Sequence, residues 1–298
     1  MCGIVGLHLR NPDLTPQLGK LLTGMLGEMA DRGTDSAGVA VYGDRIWSPV
    51  GAGCVSILEV DAAPTVVADA LRVRLGVPVS VQVIDTIFQL TATLDAELLL
   101  TAVRAEYPHA LVIGFGSDIT VLKGIGHPAE LARAWGLPAA AGWQGVGHTR
   151  MATESAVTAS GAHPYAVGPG QCLVHNGSFS NHATIRRSLR TEGVRFDSEN
   201  DTEVGARFVA AQLAGGRSVE TALKELCANF DGFYTLLVSN RDSFAVVRDA
   251  IACKPAVIAE TPDWVAMASE YRALSDLPGV EAAKIWEPQP EVVYAWNR

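Results

Sequence analysis

The chain alternates short apolar runs with polar punctuation, and its hydrophobic period switches between two and about 3.6 residues along its length. Residues 4–9 read as a strand. Leu18, Leu21, Leu22, Met25, Leu26 and Met29 recur at helical spacing and predict a helix over 15–30. Pro16 then falls in the first turn, where a missing N–H costs nothing. The helix stops before Arg32-Gly33, and 37–42 reads as a short buried strand.

Residues 53–116 carry a pattern of their own. VSILEV reads as a strand, PTVVADALRVRLG as a helix, VPVSVQVI and FQLTATL as two strands, AELLLTAVRAEY as a helix and HALVIGF as a last strand. This order is that of a ferredoxin-like split βαβ unit, so the segment is expected to form a subdomain inserted in a single domain spanning 1–298. A strand at 119–123, a helix at 128–135 and a strand at 145–149 follow, then a loop rich in Ser, Thr and Gly. From Gln171 a strand leads into HNGSFSN, and helices are predicted near 181–192, 201–214 and 218–228. The runs FYTLLVS, SFAVVRD, PAVIAE, WVAMAS and EVVYAW, with hairpin turns such as SNRDS, predict a largely antiparallel α+β architecture covered by helices.

Composition narrows the function classes. With 48% hydrophobic and 18% charged residues over 298, the chain is an ordinary globular one with enough length for a sizeable core. A net charge of −9 and no basic run longer than Arg186-Arg187 argue against a nucleic acid partner. The five cysteines, Cys2, Cys54, Cys172, Cys227 and Cys253, are widely spaced without a CxxC pair, which fits a reducing compartment and predicts no metal site. No apolar stretch approaches the roughly 20 residues that span a bilayer, and no basic and apolar leader opens the chain. A soluble, cytoplasmic protein without a membrane partner is expected.

The opening MCGIVGL puts a cysteine directly behind the initiator methionine. Cysteine is small enough for methionine removal to expose it, which would place a thiol and a free α-amine on one residue. An α-amine near pKa 7.7–8.0 and a thiol near about 8.5 exchange a proton cheaply, so the amine can activate its own side chain. A buried cysteine opening the first strand is the other reading of these seven residues.

Four further clusters combine Gly, Asn, Asp, Arg and His and are expected in loops: RGTDSAG from Arg32, GHTRMATES from Gly147, His175-Asn176-Gly177, and NDTE from Asn200. With CGIVG they resemble, in order and spacing, the motifs of the class II glutamine amidotransferases, the N-terminal-nucleophile hydrolases that release ammonia from glutamine. The resemblance implies an αββα sandwich of two mainly antiparallel sheets between helical layers. It also implies that Cys2 is the nucleophile, and that the Asn176 side chain and Gly177 N–H are the oxyanion donors. Arg150 would hold the glutamine α-carboxylate and Asp201 its α-ammonium, while Thr153, His163 and Arg32 shape the same pocket. Taken alone, Arg150 also reads as a surface ion pair, Asp201 as a helix N-cap, Asn176-Gly177 as a turn, and Arg32-Gly33 as a helix end with Gly33 left-handed.

The runs GHTRMATES, LVHNGSFSNH, ENDTEV, DGFY and ACKPAVIAETPDWVAMASEYRAL are most similar to the stand-alone amidotransferase subunits of glutamate-synthase-like complexes such as N-methylglutamate synthase. No phosphate-cradling GxxxxGK[ST] loop is present in the sequence. The resemblance therefore implies a hetero-oligomer in which separate synthase subunits accept the ammonia and carry flavin and an iron–sulfur cluster, with no cofactor on this chain. A subunit that keeps the fold but not the activity is the alternative. For residues 53–116 three roles are open: docking those subunits, binding a small regulator, or extending the core. Trp135 and Trp143 are expected to be packing residues.

Overall fold

The computed structural model describes residues 2–151 and 157–298. In chain order its first half runs β1 (Gly3–Leu9), α1 (Leu18–Glu28), β2 (Ser36–Tyr42), β3 (Gly53–Leu58), α2 (Pro64–Leu75), β4 (Val79–Ile84), β5 (Ile87–Ala92), α3 (Ala96–Glu106), β6 (Leu111–Ser117) and β7 (Ile119–Ile125). Then come α4 (Pro128–Ala134), β8 (Gln144–Arg150), β9 (Tyr165–Gly168), β10 (Gln171–Phe179), α5 (His182–Thr191), α6 (Asp201–Ala214) and α7 (Val219–Asn229). The last part is all strand: β11 (Gly232–Ser239), β12 (Ser243–Arg248), β13 (Val257–Glu260), β14 (Trp264–Ala268), β15 (Lys284–Trp286) and β16 (Tyr294–Asn297), apart from short 3-10 turns.

The strands form three antiparallel sheets. One has the order β15-β13-β14-β1-β8-β2-β7, the second β16-β12-β11-β10-β9 and the third β4-β5-β3-β6. The first two sheets face each other across a core that includes Ile4, Leu7, Val146, Val174, Leu237 and Phe244. Each such side chain contributes about 1.5–3 kcal/mol by leaving water. Helix α1 covers the outer face of the first sheet against β1 and β8, and α6 and α7 cover the outer face of the second. A separate apolar cluster there includes Leu173, Leu236, Val247, Val204 and Leu223. The layers are thus helix, sheet, sheet, helix, as the resemblance implied.

The third sheet places α2 and α3 over an apolar cluster of its own, with Val55, Leu71, Leu90, Leu99 and Phe115 at its centre. Its other face meets the first sheet through apolar side chains, Leu58, Ile87 and Ile113 among them, and through satisfied polar groups. Gln89 Nε2 donates to the Trp47 carbonyl at 3.0 Å and to Thr120 Oγ1 at 3.2 Å, and Ser56 Oγ accepts from the Val121 N–H at 3.2 Å.

Three expectations need correction. The helix predicted over 15–30 begins only at Leu18, because Pro12 and Pro16 lie in a preceding 3-10 turn, Pro12–Gln17. Pro16 has no N–H for an α-type bond, and the cap N–H of Leu18 returns to the Thr15 carbonyl in the tighter register. The clusters GHTR and HNG are not loop or turn residues; they lie within β8 and β10. Gly33 is extended (φ −162°, ψ 109°) rather than left-handed, because the chain there passes against the backbone of Arg150, 2.5 Å from where a Cβ would sit. Trp135 and Trp143 are buried.

Candidate active site

Strand alternation assembles the site. Along β8 one face carries Gln144, Val146, His148 and Arg150, and Val146 belongs to the core between the sheets. The opposite face turns to α1, where Thr149 Oγ1 donates to the Met29 carbonyl at 2.8 Å. Along β10, Cys172 and Val174 enter the inter-sheet core, so Asn176 follows them, while Leu173 enters the helix-side cluster. The register Gly3↔Thr149 brings the start of β1 to the end of β8. Cys2, partly exposed, thereby sits with its Sγ 3.9 Å from the Met151 carbonyl oxygen.

The main chain of Cys2 is held from two sides. Arg32 Nε donates to its carbonyl at 2.8 Å, and Asn176 Nδ2 donates to the same oxygen at 3.1 Å. The Arg32 guanidinium also bonds Glu270, and this bond holds the Glu270 carboxyl below its ordinary pKa. The second Nδ2 hydrogen of Asn176 reaches Ser269 Oγ at 3.1 Å, and that hydroxyl oxygen accepts the Ile4 N–H at 2.9 Å. The Asn176 Oδ1 lies 3.1 Å from His148 Nε2.

Beside this cluster opens a cleft of about 780 Å³, whose wall includes Arg150, Gly177, Asp201, Ser160, Phe233 and Lys254. Arg150 is 7% exposed, so it is a buried guanidinium rather than a surface ion pair. Asp201 is the first helical residue of α6; the N-cap is Asn200, whose side chain accepts the Thr202 N–H. Asp201 Oδ2 accepts the Phe179 N–H at 2.8 Å, which fixes the carboxylate at the cleft wall. Gly177 has φ 135°, and a Cβ there would lie 1.9 Å from the Phe233 carbonyl oxygen, so no other residue fits.

His163 stands behind the cleft. It is buried, its ring stacks on His148 at 4.1 Å, and its Nε2 lies 3.0 Å from Thr202 Oγ1. The same hydroxyl meets His175 Nδ1 at 2.9 Å. Burial holds all three imidazoles below their ordinary pKa, His148 down to about 3, so they are neutral. Thr153 lies outside the described residues. Of the expected site residues, Arg150, Gly177 and Asp201 line one cleft, and Cys2, Asn176 and Arg32 join through one carbonyl. Sequence reasoning gave no site role to Ser269, Glu270 or Lys254, although all three lie in the run ACKPAVIAETPDWVAMASEYRAL. Ser269-Glu270 follow the buried strand β14, the register partner of β1, and that abrupt polarity is the signal in the pattern that could have found them. Among the described residues no cluster of His, Cys, Asp and Glu is arranged to hold a metal ion, and no helix is long and apolar enough to cross a membrane.

Residues 148–276 match the family described as glutamine amidotransferase domain. The chain is 45% identical over 304 residues to the Glutamine amidotransferase-like protein GlxB of Rhizobium meliloti (strain 1021), covering 100% of this chain and 98% of that protein. It is 30% identical over 312 residues to a Putative glutamine amidotransferase of Methanothermobacter thermautotrophicus, covering 99% of each. Among solved structures, the glutamine phosphoribosylpyrophosphate amidotransferase of B. subtilis, complexed with ADP and GMP, is similar with a TM-score of 0.61 at 18% identity. That match covers 99% of this chain and 49% of that one, and it speaks for the fold. With end-to-end identity at this level on a shared architecture, the chain belongs to the class II glutamine amidotransferases.

Proposed function

We propose that this chain is a glutaminase subunit that hydrolyses L-glutamine to glutamate and ammonia through a γ-glutamyl thioester on Cys2. The convergence of Arg150, Gly177 and Asp201 on one cleft beside Cys2 carries the reading. Arg150 offers a planar fork for the α-carboxylate, and Asp201 offers a carboxylate for the α-ammonium. Cys2 Sγ attacks the side-chain amide carbon while its proton passes to the Cys2 α-amine, which removal of Met1 exposes. The Gly177 N–H and Asn176 Nδ2 receive the oxyanion. Both Nδ2 hydrogens have partners, so the oxyanion takes the place of one of them. The α-amine returns the proton to the departing nitrogen, ammonia leaves, and water cleaves the thioester. One glutamine and one water thus give one glutamate and one ammonia.

The ammonia acceptor in this reading is a separate glutamate-synthase-like subunit bearing flavin and an iron–sulfur cluster, as in N-methylglutamate synthase, and the complex is a cytoplasmic hetero-oligomer. The similarity of the runs around Arg150, Asn176, Asp201 and Lys254 to such subunits supports it. Residues 53–116, with α2 and α3 turned outward, are the segment proposed to dock it.

The test is the intact mass after exposure to 6-diazo-5-oxo-L-norleucine, a glutamine analogue that alkylates the nucleophile. The expected result is a chain without Met1 carrying one adduct on Cys2, blocked by excess glutamine. A chain without Met1 that takes no adduct overturns the reading in favour of a subunit that keeps the fold without the activity.

A further inference from the structure

We propose that His148 is a positioning residue that sets the orientation of the Asn176 side-chain amide and so aims its Nδ2 at Cys2. The inference rests on the glutaminase reading above for its catalytic consequence, and on hydrogen-bond chemistry for the orientation itself. A carboxamide is almost the same shape after a half turn, so packing alone does not choose which end faces Cys2. The choice must come from its partners.

His148 Nε2 lies 3.2 Å from the His175 carbonyl oxygen and 3.1 Å from Asn176 Oδ1. A carbonyl oxygen only accepts, so Nε2 carries the hydrogen. A donor at that place requires Asn176 to present its oxygen there, which sends Nδ2 toward the Cys2 carbonyl and Ser269 Oγ. The reversed amide would set two hydrogens against the Nε2 hydrogen and an oxygen against the Cys2 carbonyl oxygen. That leaves buried donors and acceptors unmatched, at about 1–3 kcal/mol each.

The ring is itself fixed in place and in tautomer. His148 is fully buried and stacked on His163 at 4.1 Å, which holds the plane of its ring. Its Nδ1 is buried with no hydrogen-bond partner among the described residues, as suits a bare imidazole nitrogen. Burial keeps the ring from protonating until about pH 3, so the Nε2–H donor persists through the neutral range. His148 does not line the cleft, so it acts on the reaction through its neighbours, and Asn176 is the one it hydrogen-bonds by side chain.

Two measurements test this. The first is ammonia release from glutamine by the wild type, His148→Leu and His148→Gln, the last of which offers an N–H donor of similar reach. His148→Leu is expected to lose about 10²-fold or more in kcat, the usual cost of disabling one oxyanion donor. Its KM for glutamine should stay within about threefold, because the ammonium and carboxylate partners are untouched. His148→Gln is expected to recover at least about a tenth of the wild-type kcat. Equal losses in both variants, or an unchanged kcat in His148→Leu, overturn the proposal.

The second measurement is independent of activity. In histidine-labelled protein, nitrogen NMR should find His148 as the Nε2–H tautomer from pH 5 to 9, and the opposite tautomer overturns the proposal. A wild type that neither releases ammonia nor takes the 6-diazo-5-oxo-L-norleucine adduct refutes the glutaminase reading instead, and the tautomer still decides the orientation.

Discussion

Replacing Asp201 by Asn separates charge from architecture at the cleft wall. Asn keeps an oxygen for the Phe179 N–H, now accepted at 2.8 Å by the carboxylate, and it leaves the Asn200 cap in place. The structural loss is then the favourable pairing of a negative charge with the first turn of α6, worth about 0.3–1 kcal/mol. In a chain of this size that lowers Tm by only about 0.5–2 °C. The binding loss is larger, because a hydrogen bond to a charged group contributes about 1.5–3 kcal/mol. At 1.4 kcal/mol per factor of ten, kcat/KM for glutamine should fall by about 10- to 150-fold. The assay pairs glutamine with 4-carbamoylbutanoate, which has the same amide and carboxylate but no α-ammonium. The wild type should prefer glutamine by a similar factor, and the Asn variant should turn over the two alike. If the substitution slows both substrates equally, Asp201 acts through the shape of the cleft and the ammonium assignment is wrong.

Gly33→Ala would press a Cβ into the Arg150 backbone; an overpacking cost of about 1–3 kcal/mol and a raised KM for glutamine should appear together, and a normal KM would show that Arg150 is not displaced. Thr202→Val removes the hydroxyl between His163 and His175, and urea denaturation should register a loss of about 1–3 kcal/mol; no loss would mean the imidazoles find other partners. Lys123 is buried, donates to the Ala162 carbonyl at 2.9 Å, and burial draws its pKa down to about 8. The unfolded chain therefore holds the extra proton between pH 8 and about 10.4, so this group makes stability rise with pH through that window. Wild type minus Lys123→Met should gain about 2–3 kcal/mol in urea denaturation between pH 7.5 and 10, whereas a flat difference would contradict the depressed pKa.

The architecture was legible because its strands and helices keep simple periods over enough residues to register. The pattern in 53–116 names six elements in the order found, and the runs from Phe233 onward fall on strands of the second and first sheets. β15, with three residues, is too short for a period to show, and β9 follows a stretch rich in Ser, Thr and Gly that reads as loop. The misplacement of GHTR and HNG has a different cause. A binary pattern reads Gly, His, Arg and Asn as solvent-seeking, whereas here His148, Arg150, His175 and Asn176 are each buried. Hydrogen bonding between the sheets offsets the burial of Asn176 and His148, and bonding to α6 that of His175, and such pairings are set by the third dimension rather than by spacing. The same holds for Ser269, which meets Asn176 across ninety-three positions of sequence.

The period of two that gave the strands also explains why the chemistry concentrates where it does. On β10 the residues facing the first sheet are Cys172, Val174 and then Asn176, so the inter-sheet core ends in an amide. On β8 the same face runs Val146, His148, Arg150, changing from apolar to polar at the matching height. β1 begins beside the end of β8, and its register with β8 leaves Cys2 one residue outside the sheet. A slip of one residue in β10 would turn His175 toward Cys2 and bury Asn176 among the helix-side apolar residues, losing its bonds to Cys2, Ser269 and His148 together. The apolar residues below the site thus fix the alignment of the polar ones at its rim. Core substitutions at Val146 or Val174 should therefore disturb the site through register as well as through stability.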